Sequence, residues 1–120
     1  MGSFSCRCGN TFRNTLVPCK FTGRLKWDPE IAHEIDSVDR DVKSFFESLE
    51  NIKDKEWVKN YFGSQYAESY PEKITKANVI EDISSRYRYD YGNFIYRCDK
   101  CERIYIEKEY NFICYEKADD

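Results

Sequence analysis

The chain has 120 residues, of which 41% are apolar and 17% are aromatic. That length is typical of one domain, and disordered chains carry far fewer aromatic residues. No stretch approaches the roughly 18 consecutive apolar residues of a membrane-spanning helix. The first residues also lack the basic and apolar segments of a signal peptide. We therefore expect one soluble domain, residues 1–120, in the cytoplasm.

The net charge of −3 is unevenly distributed along the chain. Residues 1–27 carry five basic residues and no acidic one, whereas residues 28–60 hold ten acidic and five basic residues. An acidic chain is a poor general ligand for nucleic acid, because phosphate binding needs clustered Lys and Arg. The acidic residues of the middle segment could be ordinary solvated charges on exposed faces, or they could dock a basic partner.

The middle of the chain, residues 36–88, has the pattern of about three helices. In the first of them, apolar residues recur at the spacing of one helical stripe: Val38, Val42, Phe45, Phe46 and Leu49. A second helix is predicted after Asp54, followed by a loop over 63–72 and a third, shorter helix over 79–87.

Both end segments change to the alternating pattern of strands. Short strands are predicted within residues 12–17 and 21–27, and three more over 93–98, 102–108 and 111–116.

The order of these elements is strands, helices and then strands again, which predicts an α+β fold. Residues 1–27 and 93–116 would form one small antiparallel sheet from both termini. Residues 36–88 would be a helical insert within the same domain.

Two close cysteine pairs, Cys6/Cys8 and Cys98/Cys101, carry the strongest chemical signal. In a reducing compartment such pairs bind metal or do redox chemistry more often than they form structural bridges. The two-residue gap lets both thiolates of the second pair reach one ion, and Gly9 can adopt the positive φ of a turn beneath a metal. Two pairs on two hairpins would supply the four soft ligands that Zn²⁺ prefers. The sequence therefore predicts a structural zinc site at these four cysteines.

The other cysteines leave one alternative open. Cys19 could replace either N-terminal ligand, whereas Cys114 lies in an apolar alternating strand and is expected in the core. A thioredoxin-like redox role for Cys98 and Cys101 is disfavoured, because such a pair opens a helix after a strand.

At these residues the chain resembles the zinc-ribbon group. The shared pattern is a Cys pair with Gly, a hairpin, and then Cys-x-x-Cys followed by Arg-Ile-Tyr-Ile-Glu, and it covers residues 4–27 and 93–116. The chain departs from that pattern in the single residue between Cys6 and Cys8 and in the long insert between the two pairs. The resemblance implies a zinc-ribbon-like antiparallel sheet holding a structural Zn²⁺.

Sequence motifs do not favour an enzyme. His33 is the only histidine, and the position four residues later is Ser37, not the second His of a metalloprotease helix. Glu34 directly follows His33 and Arg97 precedes Cys98, so the zinc-deaminase pattern also fails. There is no Gly-rich phosphate loop and no Gly-x-Ser-x-Gly motif. We expect a non-catalytic protein with His33 at its surface.

Two sets of residues are candidates for binding a partner. Tyr89 and Tyr91 belong to a run of alternating Tyr and Arg, residue types that are enriched at interfaces and can also stack on bases; packing on the core is the alternative. The acidic candidates are Asp39, Asp41, Glu47, Glu50, Asp54 and Glu56.

The size, acidity and motif content of the chain resemble those of bacterial immunity proteins, which bind and neutralise a cognate toxin. Many such toxins are nucleases with a basic cleft, which an acidic face could occupy or flank. The alternative hypothesis is a nucleic-acid-binding or regulatory zinc-ribbon module that uses the basic residues of the N-terminal block: Arg7, Arg13, Lys20, Arg24 and Lys26.

Overall fold

A computed structural model describes residues 3–13 and 19–118. The described chain forms six strands and four helices, and the predicted α+β class is confirmed. The residues divide into two compact units, which we call the sheet unit (residues 1–27 and 92–120) and the helical unit (residues 28–91). None of the described helices is long and apolar enough to cross a membrane.

The sheet unit contains every strand of the described chain. The bounds are β1 Ser3–Ser5, β2 Thr11–Arg13, β3 Thr22–Leu25, β4 Asn93–Arg97, β5 Ile104–Lys108 and β6 Asn111–Tyr115. Strands β1 and β2 form an antiparallel hairpin, and the other four form an antiparallel sheet in the order β3-β4-β5-β6. The N-terminal strand β3 pairs with the C-terminal strand β4, so both ends of the chain do meet in one sheet.

Aromatic rings connect the β1–β2 hairpin to the larger sheet. The Phe4 ring stacks on Tyr96 at 4.4 Å between centroids and meets the edges of Tyr105 at 4.7 Å and Phe112 at 5.4 Å. Such ring pairs add to the area that they bury. They fix the hairpin on one face of the sheet.

The observed strands match the predicted ones closely at the C-terminal end. Strands β4, β5 and β6 lie within the predicted ranges, since alternating side chains there mark the two faces of a sheet. Near the N-terminus, β2 overlaps the start of the strand predicted at 12–17, and residues 14–17 of that prediction lie outside the described residues. Strand β3 lies within the range predicted at 21–27.

The helical unit contains α1 Asp28–Glu50, α2 Asp54–Phe62, α3 Ser64–Glu68 and α4 Lys76–Arg86. Its core is a cluster of fully or nearly buried side chains: Phe45, Val58, Ala67, Tyr70, Val79 and Ile83. Helix α4 begins with a capping box in which the Thr75 hydroxyl accepts from the Asn78 amide and the Asn78 side chain accepts from the Thr75 amide.

Two helical features differ from the prediction. Helix α1 begins at Asp28, ahead of the predicted start near Asp36, because Pro29 suits a first turn and Asp28 and Glu30 favour the positive end of the helix dipole. The segment predicted as a loop after Gly63 contains the one-turn helix α3, where Ala67 is buried and the Tyr66 ring stacks on Phe62 at 4.2 Å.

Tyrosine hydroxyls donate hydrogen bonds to aspartate side chains inside the helical unit. Tyr61 and Tyr87 both donate to Asp41, while Tyr66 donates to Asp82. Because its oxygens accept these bonds and one from the Arg40 guanidinium, the pKa of Asp41 is lowered although its burial acts in the opposite direction. A buried carboxylate is tolerated only when it is paired in this way.

These contacts correct the predicted position of Asp41. The sequence places Asp41 on the exposed face of the first helix with the other acidic candidates, but it is buried. It lies one turn before Phe45 and one turn after Ser37, on the face of α1 that packs against the rest of the helical unit.

We predict that the helical unit loses stability above about pH 10, the ordinary pKa of tyrosine. Burial, and then the hydrogen bond to an aspartate, raises the pKa of Tyr61, Tyr66 and Tyr70 in the folded chain. A raised folded pKa gives stabilisation that is complete below the unfolded pKa and is lost as pH rises above it. Urea titrations followed by helical circular dichroism at pH 7, 10 and 11 measure the change.

Tyr70→Phe keeps the buried ring but removes the hydroxyl that donates to Asp54. It should cost about 1 kcal/mol at neutral pH and should weaken the decline above pH 10. Tyr110→Phe is the matched control, because Tyr110 is almost fully exposed. An unchanged alkaline profile in Tyr70→Phe would contradict the assignment.

Candidate metal centre

The two predicted cysteine pairs lie at the tips of two hairpins. Cys6 and Cys8 follow β1 in the turn that leads to β2, and Cys98 and Cys101 lie in the turn between β4 and β5. All four sulfur atoms lie within 4.8 Å of one another. The predicted convergence of the two pairs is therefore observed, and these four cysteines could hold a metal ion.

The two turns have the same backbone design. In the first, the Cys6 amide donates to the Asn10 carbonyl and the Gly9 amide donates back to the Cys6 carbonyl. In the second, the Cys98 amide donates to Arg103 and the Glu102 amide donates to Cys98. The residue directly after each pair has a positive φ, +94° at Gly9 and 65° at Glu102. The similarity holds although one pair is separated by one residue and the other by two.

Sulfur–sulfur distances fit a tetrahedral centre. The Cys6 and Cys101 sulfurs are 3.4 Å apart, and those of Cys8 and Cys98 are 3.7 Å apart. A zinc–sulfur bond of about 2.3 Å gives a tetrahedron edge of about 3.8 Å. A disulfide needs about 2.0 Å, and all four cysteines are free thiols.

Polar groups around the sulfurs point their hydrogens at them. The Tyr105 hydroxyl donates to the Cys6 sulfur at 3.3 Å, and the Arg103 guanidinium donates to the Cys101 sulfur at 3.3 Å. The Asn10 side-chain amide lies 3.5 Å from the Cys98 sulfur and also donates to Asp99 at 2.9 Å. Donors of this kind stabilise thiolate ligands and fix their orientation.

The thiols differ in their tendency to ionise. Burial opposes ionisation of Cys6, but hydrogen bonds from the Cys8 amide and the Tyr105 hydroxyl lower its pKa to about 6. The Asn10 amide favours the Cys8 thiolate, but burial and the neighbouring thiols outweigh it and raise the pKa of Cys8 to about 11. Four thiolates so close together repel one another unless a cation lies among them.

The cluster is open on one side. Cys6 and Cys98 are buried, whereas Cys8 is exposed and Cys101 is half-buried. A shallow depression beside the exposed sulfur is lined by Cys8, Asn10, Lys100 and Cys101.

The remaining cysteines lie outside the four-sulfur cluster. Cys19, the alternative ligand, is half-buried, and its sulfur lies 4.0 Å from the Arg13 carbonyl. Cys114 packs against the buried cluster of Cys6, Cys98 and Tyr105, as its alternating strand predicts.

The acidic candidates occupy different environments in the helical unit. Asp39, Glu47, Glu50 and Glu56 are exposed, and Asp39 forms an ion pair with Lys43 at 2.8 Å. Asp54 is half-buried and accepts from the Tyr70 hydroxyl.

The two tyrosine candidates also lie in different environments. Tyr89 is exposed, with the Arg88 guanidinium 5.8 Å from its ring. Tyr91 is half-buried; its hydroxyl is 3.4 Å from the Ser37 hydroxyl, and its ring stacks near exposed His33.

Sequence reasoning missed two features next to the acidic residues. Trp57 and Glu47 help to line a polar groove of about 330 Å³ between α1 and α2, and the Trp57 indole donates to Ser44 at 2.8 Å. Ile31 and Ile35 are exposed on the first half of α1. Their four-residue spacing was a signal, but the predicted helix began after both of them.

Comparison with known proteins places the chain in a family. A family model described as "Domain of unknown function (DUF8617)" matches residues 2–119. The chain belongs to this family. Neither the curated proteins nor the solved structures include a match to this DUF8617 chain. The match spans both cysteine pairs and the whole helical unit.

We predict that Gly9→Ala destabilises the sheet unit by about 1–2 kcal/mol, because an L-residue with a side chain is strained at a φ of +94°. No atom lies within 4 Å of the added methyl group, so the cost is conformational. Thermal unfolding of the two variants measures it. Gly23→Ala is the control, since its methyl group meets Ile95 at an ordinary 3.4 Å; equal losses in both variants would contradict the role of the turn.

Proposed function

We propose that the four cysteines bind one structural Zn²⁺ and that the protein is a non-catalytic binding protein of the immunity type. The zinc proposal is supported above all by the sulfur tetrahedron at the two hairpin tips. Four thiolates fill the coordination sphere of zinc and leave no position for a reacting water, which distinguishes structural from catalytic sites. The residues that would hold the ion are Cys6, Cys8, Cys98 and Cys101.

A structural metal also suits the small core of the sheet unit. The buried cluster in that unit consists of Cys6, Cys98 and Tyr105, so two of its three members are candidate ligands. Structural zinc contributes on the order of 10 kcal/mol in small zinc domains. Bound metal would replace hydrophobic burial as the main source of stability there.

We predict that purified protein contains one zinc per chain and that Cys98→Ser removes it. The same variant should lose the visible absorption of a tetrahedral Co²⁺–thiolate complex after cobalt substitution, because one of four soft ligands is gone. Elemental analysis and cobalt titration are the measurements.

Cys19→Ser and Cys114→Ser serve as matched controls, since both sulfurs lie outside the cluster. Each should retain the full metal content. Zinc loss in Cys19→Ser with retention in Cys8→Ser would replace the proposed ligand set by one containing Cys19. Iron at the same stoichiometry would contradict zinc but keep the four-cysteine centre.

The negative charge of the helical unit supports the proposal of a basic protein partner. Residues 28–91 contain fifteen acidic and nine basic residues, a net charge of −6. Exposed acidic side chains on α1 and α2 include Asp39, Glu47, Glu50 and Glu56. Such a field would steer a positively charged partner into contact and select against acidic ones.

The groove between α1 and α2 is the best anchor on this surface. Two acidic residues, Glu47 and Glu56, line it together with Trp57 and one basic residue, Lys53. A partner's Lys or Arg would therefore meet two carboxylates and an indole ring against a single like charge. Aromatic anchors within a polar rim are typical of protein interfaces. A cognate toxin with a basic cleft, such as a nuclease, is the partner that this chemistry favours.

A nucleic-acid role is the second candidate, and it is supported by charge in the sheet unit. Residues 1–27 and 92–120 contain ten basic and seven acidic residues. Arg7 and Lys100 are exposed within the two cysteine turns. They could contact phosphates beside the metal centre.

We predict that Glu47→Lys combined with Glu56→Lys abolishes the proposed protection against a cognate toxin. Reversing two charges in the groove replaces attraction with repulsion, which should slow association at least about tenfold. Growth of cells that express the toxin, and association rates of the purified pair, are the measurements. Glu72→Lys combined with Glu81→Lys is the control, since both residues are exposed on the helical unit outside this groove.

Unchanged protection in the groove variant would remove this surface from the proposal. Binding of an oligonucleotide whose affinity falls steeply with added salt, and is lost in Arg7→Glu combined with Lys100→Glu, would favour the second candidate.

A further inference from the structure

One outer edge of the four-stranded sheet is formed by strand β6. Strand β6 lies at one end of the strand order and pairs only with β5 within the described sheet. Natural edge strands are commonly protected by Pro, by charged side chains or by bulges. Residues 111–115, Asn-Phe-Ile-Cys-Tyr, contain none of these. The opposite edge, β3, is a residue shorter and includes Gly23 and Arg24.

Large apolar and aromatic side chains are exposed along β6. Phe112 is 40% exposed, Ile113 43% and Tyr115 44%, and Tyr110 at the tip of the preceding turn is 98% exposed. Ile113 and Tyr115 lie on one face of the strand, and Phe112 lies on the other, where its ring meets those of Phe4 and Tyr96. Both faces of β6 therefore present exposed apolar surface beside a backbone edge that pairs with no other strand of the described chain.

The hairpin register shows which backbone groups face outward. Lys108 pairs with Asn111 around the two-residue turn Glu109–Tyr110, whose positive φ values of 48° and 70° are those of a type I′ turn. The closing pair of such a turn is hydrogen-bonded, and bonding then alternates along the strand. Amides 111, 113 and 115 are therefore used by β5, while amides 112 and 114 face away from the sheet.

We propose that β6 pairs antiparallel with β6 of a second copy of this chain, joining two four-stranded sheets into one of eight strands. With Ile113 on the two-fold axis, all five residues of each strand overlap, so that Asn111 lies opposite Tyr115 and Phe112 opposite Cys114 of the other copy. The outward amides 112 and 114 then form the hydrogen-bonded pairs, and Ile113 meets Ile113 in the closer, non-hydrogen-bonded position.

Charge at the strand ends supports a second copy as the occupant. Glu109 lies two residues before β6 and Lys117 two residues after it, and both are exposed. The antiparallel two-fold arrangement brings Glu109 of each copy towards Lys117 of the other, giving two opposite-charge contacts. Cross-strand pairs of this kind, together with the apolar pair at the axis, favour association.

Sedimentation equilibrium of the zinc-loaded full chain, over about 1 μM to 1 mM, tests the proposal. We expect a monomer–dimer equilibrium that Ile113→Lys weakens at least about tenfold, because it places two like charges opposite each other at the axis. Ile52→Lys, which changes an exposed Ile in the helical unit, is the matched control and should leave dimerisation unchanged. A monomer at every concentration, or equal effects of the two variants, would overturn the proposal.

Amide hydrogen exchange of the unaltered chain gives a second readout that does not depend on the folding of a variant. The Phe112 and Cys114 amides should become more protected as concentration rises, whereas the Ile113 amide should be protected throughout by β5. Protection of 112 and 114 that is independent of concentration would overturn the pairing, and so would a dimer in which neither amide is protected.

Discussion

The convergence of four sulfur atoms joins the N-terminal and C-terminal segments of the sheet unit. Ninety residues separate Cys8 from Cys98, yet their sulfurs are 3.7 Å apart. Closing so long a loop costs only logarithmically more entropy than closing a short one. The proposed metal would offset that cost in a unit whose buried cluster, among the described residues, consists of Cys6, Cys98 and Tyr105. The pairing of β3 with β4 and the contact of the Phe4 ring with Tyr96 join the same two segments of the chain.

The two units provide hydrogen-bond partners for their polar side chains in different ways. In the sheet unit, thiols are gathered and surrounded by hydrogen-bond donors such as Tyr105 and Arg103. In the helical unit, Asp41, Asp54 and Asp82 accept hydrogen bonds from tyrosine hydroxyls. Tyrosine can do this because it contributes a large apolar ring along with a polar tip. The abundance of tyrosine in the sequence therefore reflects packing inside this unit.

The sequence was informative where one local rule dominates. Side-chain alternation located β4, β5 and β6, and cysteine spacing identified Cys6, Cys8, Cys98 and Cys101 as a group. It was less informative where tertiary contacts decide. Asp41 looks like a surface charge until Tyr61 and Tyr87, far along the chain, supply its partners. Ile31 and Ile35 are exposed and do not belong to the row of apolar residues that faces the core. The first turns of α1 were therefore not predicted as part of the helix.

The placement of the second cysteine pair late in the chain has a consequence for biosynthesis. A ribosome releases residues 28–91 before it releases residues 98–101. The helices can therefore pack through local contacts before Cys98 and Cys101 are available to Cys6 and Cys8. Nascent protein would therefore pass through a stage with two unligated N-terminal cysteines and a strand β3 that lacks its neighbour. Metal supply and oxidative conditions during translation would then affect the yield of native protein.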